Sequence, residues 1–548
     1  MSIKNVDATT KSSSKKDGSN KTGTTTAAAA SNAAPASVVV EGKDKFHYEF
    51  GGPIGCFLTM LFLPLVVMLL LYWTDIGYVT FDGILEMTSN ANNNSSNGSS
   101  SSIDIVTSIL HSSVLCPSCC SSTAANNRDD EDDGVGKHTL VLIYCMLGLI
   151  GWFVFQVLLE RCLPYDLVEG NYVQNNVKNG KLSYRINGHL AFWFTLLVVQ
   201  IGYPTWYNTS NNSTNTNGNG NDNEEWILQF THFPLHEILY KNYPELAFSS
   251  IVLCTILSFY LYISSFFPIN TTNNNKIKKK QKILAVGGNS GNHIYDFWIG
   301  RELNPRIHNI GFLQNFDWKV FCELRPGLIF WLLLNLSCLY EQHRKLGYVT
   351  GSMILINIFQ GIYIWDALYY EKSILTTMDI TTDGFGFMLI FGDLCWVPFT
   401  YSIQAKYLVN HDPHLSTIQL TCIVILYCFG LFLFRNANTQ KDIFRKDPTS
   451  PKVQHLKYMQ TKRGTKLLIS GYWGLARKIN YTGDYIMGVT WCLLCGFNSI
   501  VPYYYAIYFA ILLIHRSIRD DNMCYEKYGN DWLLYKQLVP YRFIPGIV

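Results

Sequence analysis

Residues 54–73 read IGCFLTMLFLPLVVMLLLYW, a run of twenty positions without a charged side chain. Because a helix rises about 1.5 Å per residue, roughly twenty apolar residues cross the hydrocarbon core of a bilayer. Comparable stretches recur along the chain, and they predict an all-α, polytopic integral membrane protein with about ten transmembrane helices. The other predicted spans lie at 139–159, 188–207, 246–268, 319–340, 349–369, 384–402, 416–434, 484–497 and 501–515.

The composition of the 548 residues favours the same class. Charged residues are 15% of the chain and hydrophobic residues 48%, whereas about 25% is a typical charged fraction in soluble proteins. The net charge of +3 is too small to indicate a nucleic-acid partner. Most cysteines lie inside apolar runs, where a thiol is a small hydrophobe. The Cys116-Pro-Ser-Cys119-Cys120 cluster has no second ligand pair nearby, and we expect no metal site.

Three regions differ in composition. Residues 1–45 are rich in Ser, Thr, Lys and Ala, and they carry too little apolar surface to offset chain entropy, which predicts a disordered tail. Residues 46–290 are predicted to form N-terminal transmembrane helices joined by Asn- and Ser-rich loops. Residues 291–548 form a C-terminal region that holds the motifs described below.

The loop charges predict the orientation, because Lys and Arg accumulate on the cytoplasmic side of a membrane protein. They gather in the N-terminal tail and after the even-numbered spans, at 161–185, 276–282 and 441–477, so both termini are predicted to be cytoplasmic. Arg344 and Lys345 depart from this pattern. The loops after the first and third spans are acidic and Asn-rich, and either glycosylation or simple low-complexity insertion explains their Asn residues. The acceptor triplets begin at Asn94, Asn97, Asn208 and Asn212.

Residues 360–406 are dense in ionisable groups, which are costly in lipid unless they face a cavity or a partner. Several glycines and Pro398 in the same stretch predict a broken or re-entrant helix. Glu371 and Asp379 have the alternative role of ending helices at the interface. Asp393 lies between LIFG and LCWVPF, and we interpret it as a functional acid or a member of a buried pair.

Residues 438–545 contain two short aromatic-rich spans bracketed by basic loops. The predicted topology brings both loops to one cytoplasmic surface. Their Lys and Arg side chains suit the phosphates of an anionic nucleotide, and their aromatic rings suit a base. The alternative is an ordinary belt of positive charge beside anionic lipid. No Gly-x-Gly-x-x-Gly motif follows a strand, so a dinucleotide would not bind on a Rossmann domain.

Three blocks of the C-terminal region resemble the signatures of the sterol reductase family, which includes delta-14, delta-7 and C-24(28) reductases. They are NHIYDFWIGRELNPR at 292–306, LLISGYWGLAR with NYTGD at 467–484, and HR, RD and CYEKYG at 515–529. The form IGRELNPRI and the block at 375–408 are most similar to the delta-14 branch, which also contains the lamin B receptor. Lys478-Ile479 departs from the His-Pro pair common in the family, and this puts the local loop geometry in question.

The resemblance implies an NADPH-dependent reductase of a sterol double bond in the endoplasmic reticulum membrane, with sterol and NADPH pockets in the C-terminal region. It also implies a sterol substrate taken from the bilayer, contacts with membrane lipid, and other sterol biosynthesis enzymes as partners. Ten matching positions inherit a role in NADPH binding. They are Lys441, Arg445, Leu468, Trp473, Asn480, Tyr481, Asp520, Cys524, Tyr528 and Tyr535.

The implied reaction, reduction of a C14=C15 double bond, needs a proton donor because hydride does not add to an unactivated diene. Protonation at C-15 leaves a tertiary cation at C-14, which accepts hydride. Burial raises the pKa of a carboxyl or phenol and keeps it protonated at neutral pH. The candidate donors are Asp366, Tyr369 and Asp393, with Glu371, Asp379, Asp383, Tyr401 and Glu302 left open.

Other functions stay open at this stage. A secondary transporter would use the same acids to bind a proton or cation, but no internal symmetry of two halves is visible. A catalytically silent scaffold of the lamin B receptor type is a second alternative. Within the enzyme class, the double bond at C-7 or C-24(28) is an alternative to the one at C-14.

Overall fold

The computed structural model of the protein describes residues 48–76, 131–172, 181–200, 203–208, 226–231, 234–273, 276–308 and 310–547. The chain divides into two compact units. The membrane unit comprises residues 46–434 and 481–515, and the C-terminal unit comprises residues 435–480 and 516–548. The predicted tail, the acceptor sites Asn94, Asn97 and Asn212 and the cluster at Cys116 lie outside the described residues.

Helices dominate the described part of the chain, so the predicted helical class is confirmed. Short 3₁₀ turns at Glu371–Thr376 and Val501–Tyr503 connect some of them. The α-helices are α1 Gly52–Ile76, α2 Glu131–Cys162, α3 Gly188–Gln200, α4 Leu235–Lys241, α5 Tyr243–Ser264, α6 His293–Ile299, α7 Trp318–Leu324, α8 Pro326–Leu346, α9 Gly351–Tyr369, α10 Met378–Thr381, α11 Phe387–Phe391, α12 Val397–Tyr401, α13 Ile403–Leu408, α14 Thr417–Lys446, α15 Tyr472–Leu475, α16 Ile479–Leu493, α17 Tyr504–Tyr528 and α18 Asn530–Leu538.

In the described residues, five antiparallel two-stranded hairpins interrupt the helices, and the all-α prediction did not anticipate them. They lie between helices, where local alternation over a few residues is too short to stand out beside the long apolar blocks. The strands are β1 Asp166–Tyr172 with β2 Lys181–Ile186, β3 Tyr203–Asn208 with β4 Trp226–Thr231, β5 Ile269–Asn273 with β6 Lys276–Lys280, β7 Arg306–Ile307 with β8 Phe316–Asp317, and β9 Tyr458–Gln460 with β10 Lys466–Leu468.

Six helical segments in the described residues are long and apolar enough to cross a membrane, rather than the ten predicted. The predicted spans at 188–207 and 484–497 coincide with the shorter helices α3 and α16, and the span at 384–402 is divided among several short helices. The segment at 501–515 comprises the 3₁₀ turn Val501–Tyr503 and the first part of α17. The six candidate spans are Gly52–Asp75, Lys137–Cys162, Tyr243–Ser264, Trp318–Leu346, Gly351–Tyr369 and Thr417–Lys446.

The broken helix predicted within residues 360–406 is present, at residues 378–408. It consists of α10, α11, a π-helical turn at Gly392–Trp396, α12 and α13. Ser250 Oγ on α5 donates a hydrogen bond of 2.8 Å to the Leu394 carbonyl, which meets part of the hydrogen-bonding need of the irregular backbone. Protein therefore surrounds the break, as backbone of this kind requires inside a membrane.

The motif at 292–306 packs against the broken segment. Asn292 caps α6 by accepting hydrogen bonds from the backbone N–H groups of Ile294 and Tyr295, each at 3.1 Å. Gly300 ends α6 with a φ of +94°. A Cβ on Gly386 would lie 2.2 Å from the Gly300 nitrogen, so only glycine permits this approach. Two blocks that are far apart in the sequence thus form one structural contact.

Candidate functional site

The C-terminal unit collects most of the residues predicted to bind a nucleotide. Its elements are the last part of α14, the β9–β10 hairpin, α15, the end of α17 and α18. Nine of the ten predicted positions lie in this unit, and Tyr481 belongs instead to the membrane unit. The nine are Lys441, Arg445, Leu468, Trp473, Asn480, Asp520, Cys524, Tyr528 and Tyr535.

The indole of Trp473 supports one side of this unit. Its Nε1–H donates to the Ala437 carbonyl at 2.7 Å, and the ring belongs to a small buried core with Leu468 and Phe444. The ammonium of Lys441 lies 3.8 Å from the centroid of the same ring, in cation–π contact. Trp473 and Leu468 are therefore buried supports, while Lys441 is partly exposed and Arg445 exposed on α14.

Polar contacts surround Asn480 and Asp520. The Asn480 Nδ2 atom donates to Asn438 Oδ1 at 3.2 Å, and its Oδ1 atom is buried without a hydrogen-bond partner among the described residues. Lys478 forms an ion pair with Asp520, so the residue that departs from the family pattern binds a predicted site residue. The Cys524 thiol donates to the Asp520 carboxylate at 3.9 Å. Burial raises the pKa of the Cys524 thiol to about 11, with a further contribution from Asp520.

Aromatic stacking holds the chain end in place. Trp532 stacks on Tyr535 with a centroid distance of 5.0 Å and on Tyr528 at 6.4 Å. Its Nε1–H donates to Asp521 Oδ1 at 2.9 Å. Burial raises the pKa of Tyr535 to about 12, so its hydroxyl stays protonated at physiological pH.

Arg477 ties the last residues to this unit. Its Nη1 atom donates to the carbonyls of Val539 and Pro540 at 2.6 and 2.7 Å, and its backbone N–H donates to Tyr541. Burial lowers the pKa of the Arg477 guanidinium. These contacts bring the segments around 477 and 540 together, although they are more than sixty positions apart in the sequence.

Positive charge is concentrated in the C-terminal unit. Residues 435–480 and 516–548 contain 16 Lys and Arg side chains and 6 Asp and Glu side chains, whereas the whole chain carries a net charge of only +3. Such an excess suits an anion with several charges, such as the phosphates of a dinucleotide. Within the described residues, no group of three or more His, Cys, Asp or Glu side chains is arranged to hold a metal ion.

The three candidate proton donors lie in the membrane unit and differ in their surroundings. Asp366 is buried on α9. Tyr369 ends the same helix and is 55% exposed, with its ring stacked on Trp365 at 5.1 Å. Asp393 lies in the π-helical turn, and its Oδ2 atom is buried without a hydrogen-bond partner among the described residues. Asp393 is thus the candidate whose carboxyl retains an unused hydrogen-bonding atom.

Two of the remaining candidate acids, Glu371 and Glu302, form ion pairs. Glu371 forms a buried ion pair with Arg325, with 2.9 Å between Oε1 and Nη2, and accepts a hydrogen bond from the Gly188 N–H at 2.7 Å. Glu302 pairs with Lys282 at 2.8 Å. Both carboxylates therefore have structural partners.

Tyr401 and the acids Asp379 and Asp383 have other surroundings. Tyr401 lies edge-on to Trp331 and Tyr505, with centroid distances of 5.3 and 4.8 Å, in an aromatic interior. The Asp383 carbonyl accepts a hydrogen bond from Lys319, and Asp379 and Asp383 both act electrostatically on that lysine. Asp379 and Asp383 thus lie near a buried cation, the Lys319 ammonium.

Lys319 is a buried charge that the sequence prediction missed. Its ammonium is inaccessible to solvent and donates to the carbonyls of Leu303, Ile380 and Asp383 at 3.0, 3.3 and 2.6 Å. The signal was present, since Lys319, Glu323 and Arg325 fall within seven positions of an otherwise apolar stretch. Charges at that density in a span indicate internal partners.

The fold and the two groups of residues define a polytopic membrane protein with buried acids in its helices and a basic C-terminal unit. The chain belongs to the Ergosterol biosynthesis ERG4/ERG24 family, whose family model matches residues 223–548. The resemblance to sterol reductases predicted from the three blocks is confirmed.

Individual relatives named Delta(14)-sterol reductase match between 57% and 74% of the chain. A Delta(14)-sterol reductase ERG24 from Candida albicans is 43% identical over 409 residues, which are 74% of this chain and 83% of the relative. A Delta(14)-sterol reductase erg24 from Schizosaccharomyces pombe is 50% identical over 57% of this chain and 69% of the relative. A Delta(14)-sterol reductase LBR from Gallus gallus is 44% identical over 72% of this chain and 55% of the relative.

Proposed function

We propose that this chain is a delta(14)-sterol reductase that uses NADPH to reduce the C14=C15 double bond of a sterol biosynthesis intermediate. The observation that carries the proposal is the identity of 43% to a Delta(14)-sterol reductase over three quarters of the chain. The match runs well beyond the C-terminal motifs. The alternatives of a reductase acting at C-7 or C-24(28) and of a silent scaffold are outcomes of the test below.

The residues of the C-terminal unit fit NADPH. Arg445 and Lys441 lie one turn apart on α14, where they can bind the phosphates, and the buried Asn480 oxygen offers an acceptor without a protein partner. The excess of cations matches the charge of a phosphorylated dinucleotide. When bound, NADPH supplies the hydride, and the role of these residues is to hold and orient it. The NADPH-binding role of all ten positions is part of the proposal.

The membrane unit supplies the proton in this proposal, and Asp393 is the first choice of donor. The Asp393 carboxyl has a buried oxygen without a hydrogen-bond partner among the described residues, so it can form a hydrogen bond to a ligand. The Glu371 carboxylate is already paired with Arg325. Asp366 is the second choice because it is buried, and Tyr369 the third because it is exposed. Protonation of C-15 by this acid leaves the cation at C-14 that accepts hydride.

We infer residence in the endoplasmic reticulum membrane, with both termini cytoplasmic and with the shorter apolar segments crossing the bilayer beside the six long ones. The sterol enters from the lipid phase because its nucleus is apolar, and NADPH enters from the cytoplasm. The functional division near residue 290 and contacts with other sterol biosynthesis enzymes stay predictions.

The test is the conversion of a delta-8,14 sterol by membranes that contain this protein, with NADPH deuterated at the transferable position. Gas chromatography with mass spectrometry should show deuterium at C-14 of the product. Parallel reactions contain delta-7 and delta-24(28) sterols. Reduction of one of these sterols instead would show that the protein acts on another double bond. If no sterol is reduced, the result would favour a non-catalytic scaffold.

A further inference from the structure

A pocket with three arginines lies in the membrane unit, and none of the three proposed proton donors lines it. It has a volume of about 270 Å³ and lies where α2 ends, beside the β1–β2 hairpin and the start of α8. Arg161, Arg185 and Arg325 line it together with Glu160. We name it the arginine pocket.

The arginine pocket contains more guanidinium groups than carboxylates that pair with them. Glu160 contacts two of the arginines, with 2.7 Å from its Oε2 to Arg161 Nε and 3.7 Å from its Oε1 to Arg185 Nε. Glu371 pairs with Arg325 at 2.9 Å. A further lining acid, Asp317, is already paired with Arg306 at 2.9 Å. Three guanidinium groups thus share two carboxylates.

The hydrogen-bond donors of these arginines are also incompletely used. Arg161 Nη2 and Arg325 Nη1 are buried and have no hydrogen-bond partner among the described residues. The two side chains are only 3% and 2% exposed. A buried charged donor without an acceptor is costly, and an anion in the pocket would satisfy both donors at once. A guanidinium binds a phosphate through a pair of parallel N–H groups, which suits this arrangement.

The position of the pocket indicates where the anion comes from. The candidate span Lys137–Cys162 ends at the pocket, so Arg161 lies at the end of an apolar helix, where a membrane protein meets lipid headgroups. Tyr165 and Leu167, which also line the pocket, are 48% and 66% exposed at its edge. An aromatic ring, an aliphatic side chain and cations together match the polar and apolar parts of a lipid at the interface.

We propose that the arginine pocket binds a phosphate group, supplied either by the headgroup of an anionic lipid or by inorganic phosphate. This site is independent of the proposed reductase activity, because its residues are neither the proposed acid nor the proposed NADPH ligands. The bound phosphate would tie α2, the β1–β2 hairpin and the start of α8 together.

The experiment measures thermal unfolding of the purified full-length protein in neutral detergent, with phosphatidic acid, inorganic phosphate or phosphatidylcholine added. Phosphatidic acid should raise the Tm by about 2 °C or more at saturation. In Arg161→Gln and Arg185→Gln, the concentration that gives half of this rise should increase about tenfold. Arg185→Gln is the milder change, since its side chain is 23% exposed.

The matched control is Arg344→Gln, which removes the same charge near the other end of α8, from a side chain that is 53% exposed. It should respond to phosphatidic acid like the unaltered protein. An equal response to inorganic phosphate would identify a free anion as the ligand, and a response to phosphatidic acid alone would identify a headgroup. No rise with either anion, or an equal rise in all variants, would overturn the proposal.

Discussion

The two units hold their charged side chains in opposite ways. In the membrane unit, Arg325 and Glu371 are almost fully buried and form an ion pair, and Lys319 donates to three backbone carbonyls. In the C-terminal unit, cations outnumber acids by 16 to 6, and Arg445 is exposed on α14. Removing one partner of a buried ion pair destabilises a protein, whereas a local excess of cations over acids attracts an anionic ligand.

Two acids of the membrane unit also differ in whether their carboxyl groups have partners. Glu371 and Asp393 belong to the same acidic stretch of sequence, yet Glu371 has two partners and Asp393 has a buried oxygen with none among the described residues. The comparison therefore predicts that replacing one will affect stability and replacing the other will affect turnover. Two experiments test these assignments, and three more concern the C-terminal unit.

Asp393→Asn is expected to have the largest effect. Loss of a proton donor should lower kcat by about 100-fold or more, while KM for NADPH stays within about twofold. Sterol reduction by purified protein in detergent measures both values. The rival is Asp366→Asn, and a loss confined to that variant would transfer the role to Asp366. Full activity in both variants would contradict a donor at either position.

Glu371→Gln should destabilise the protein without a specific effect on the reaction. It leaves the buried Arg325 without its carboxylate, which typically costs about 3–5 kcal/mol. Thermal unfolding in detergent should show a clearly lower Tm, or a loss of folded protein. The neighbouring exposed pair is the control, because Lys372→Gln should cost less than about 1 kcal/mol. Similar losses in the two variants would contradict a special role for the buried pair.

Arg445→Gln should weaken NADPH binding roughly 10- to 150-fold, since one charge-assisted phosphate contact is worth about 1.5–3 kcal/mol. Titration of the purified protein with NADPH measures the Kd. Lys446→Gln removes the same charge from the adjacent position, where the ammonium pairs with Asp442 at 2.7 Å, and should change the Kd less than twofold. Equal effects would indicate a general electrostatic attraction rather than a contact made by Arg445.

The smallest effect is expected at Cys524, whose thiol should react slowly with an alkylating agent and faster as the pH rises. Its pKa of about 11 lies above the usual value of 9.0, so the thiol stays neutral at pH 8. Alkylation by iodoacetamide, followed by mass spectrometry of the peptide, should accelerate about tenfold per pH unit between pH 8 and 10. Denatured protein should react faster at pH 8.

The same shift of the Cys524 pKa has a consequence for stability. Because the pKa is higher in the folded state, the neutral thiol favours folding below pH 9, and this contribution declines as the pH rises from about 9 to about 11. Unfolding of the Cys524→Ser variant should lack this part of the alkaline decline. An identical decline in both proteins would contradict the contribution.

The family resemblance gave ten positions a role in NADPH binding, which stays a prediction, and nine of them lie in one compact unit. Charge and hydropathy did not separate Glu371 from Asp393, because both are acids among apolar neighbours. Lys319 was missed for a related reason, since its partners are backbone carbonyls that any sequence contains. The different surroundings of Glu371, Asp393 and Lys319 depend on which groups lie next to each side chain in the folded protein.

On its own the sequence determines that this chain is helical, enters a membrane and belongs among the sterol reductases, because apolar length and motif order are read along the chain. Only the tertiary structure decided which charges are paired. Arg325 lies 46 positions from Glu371, and Gly188 lies 183 positions from the same carboxylate. Electrostatic and hydrogen-bond energies depend on distances of a few ångströms in space, which folding alone establishes.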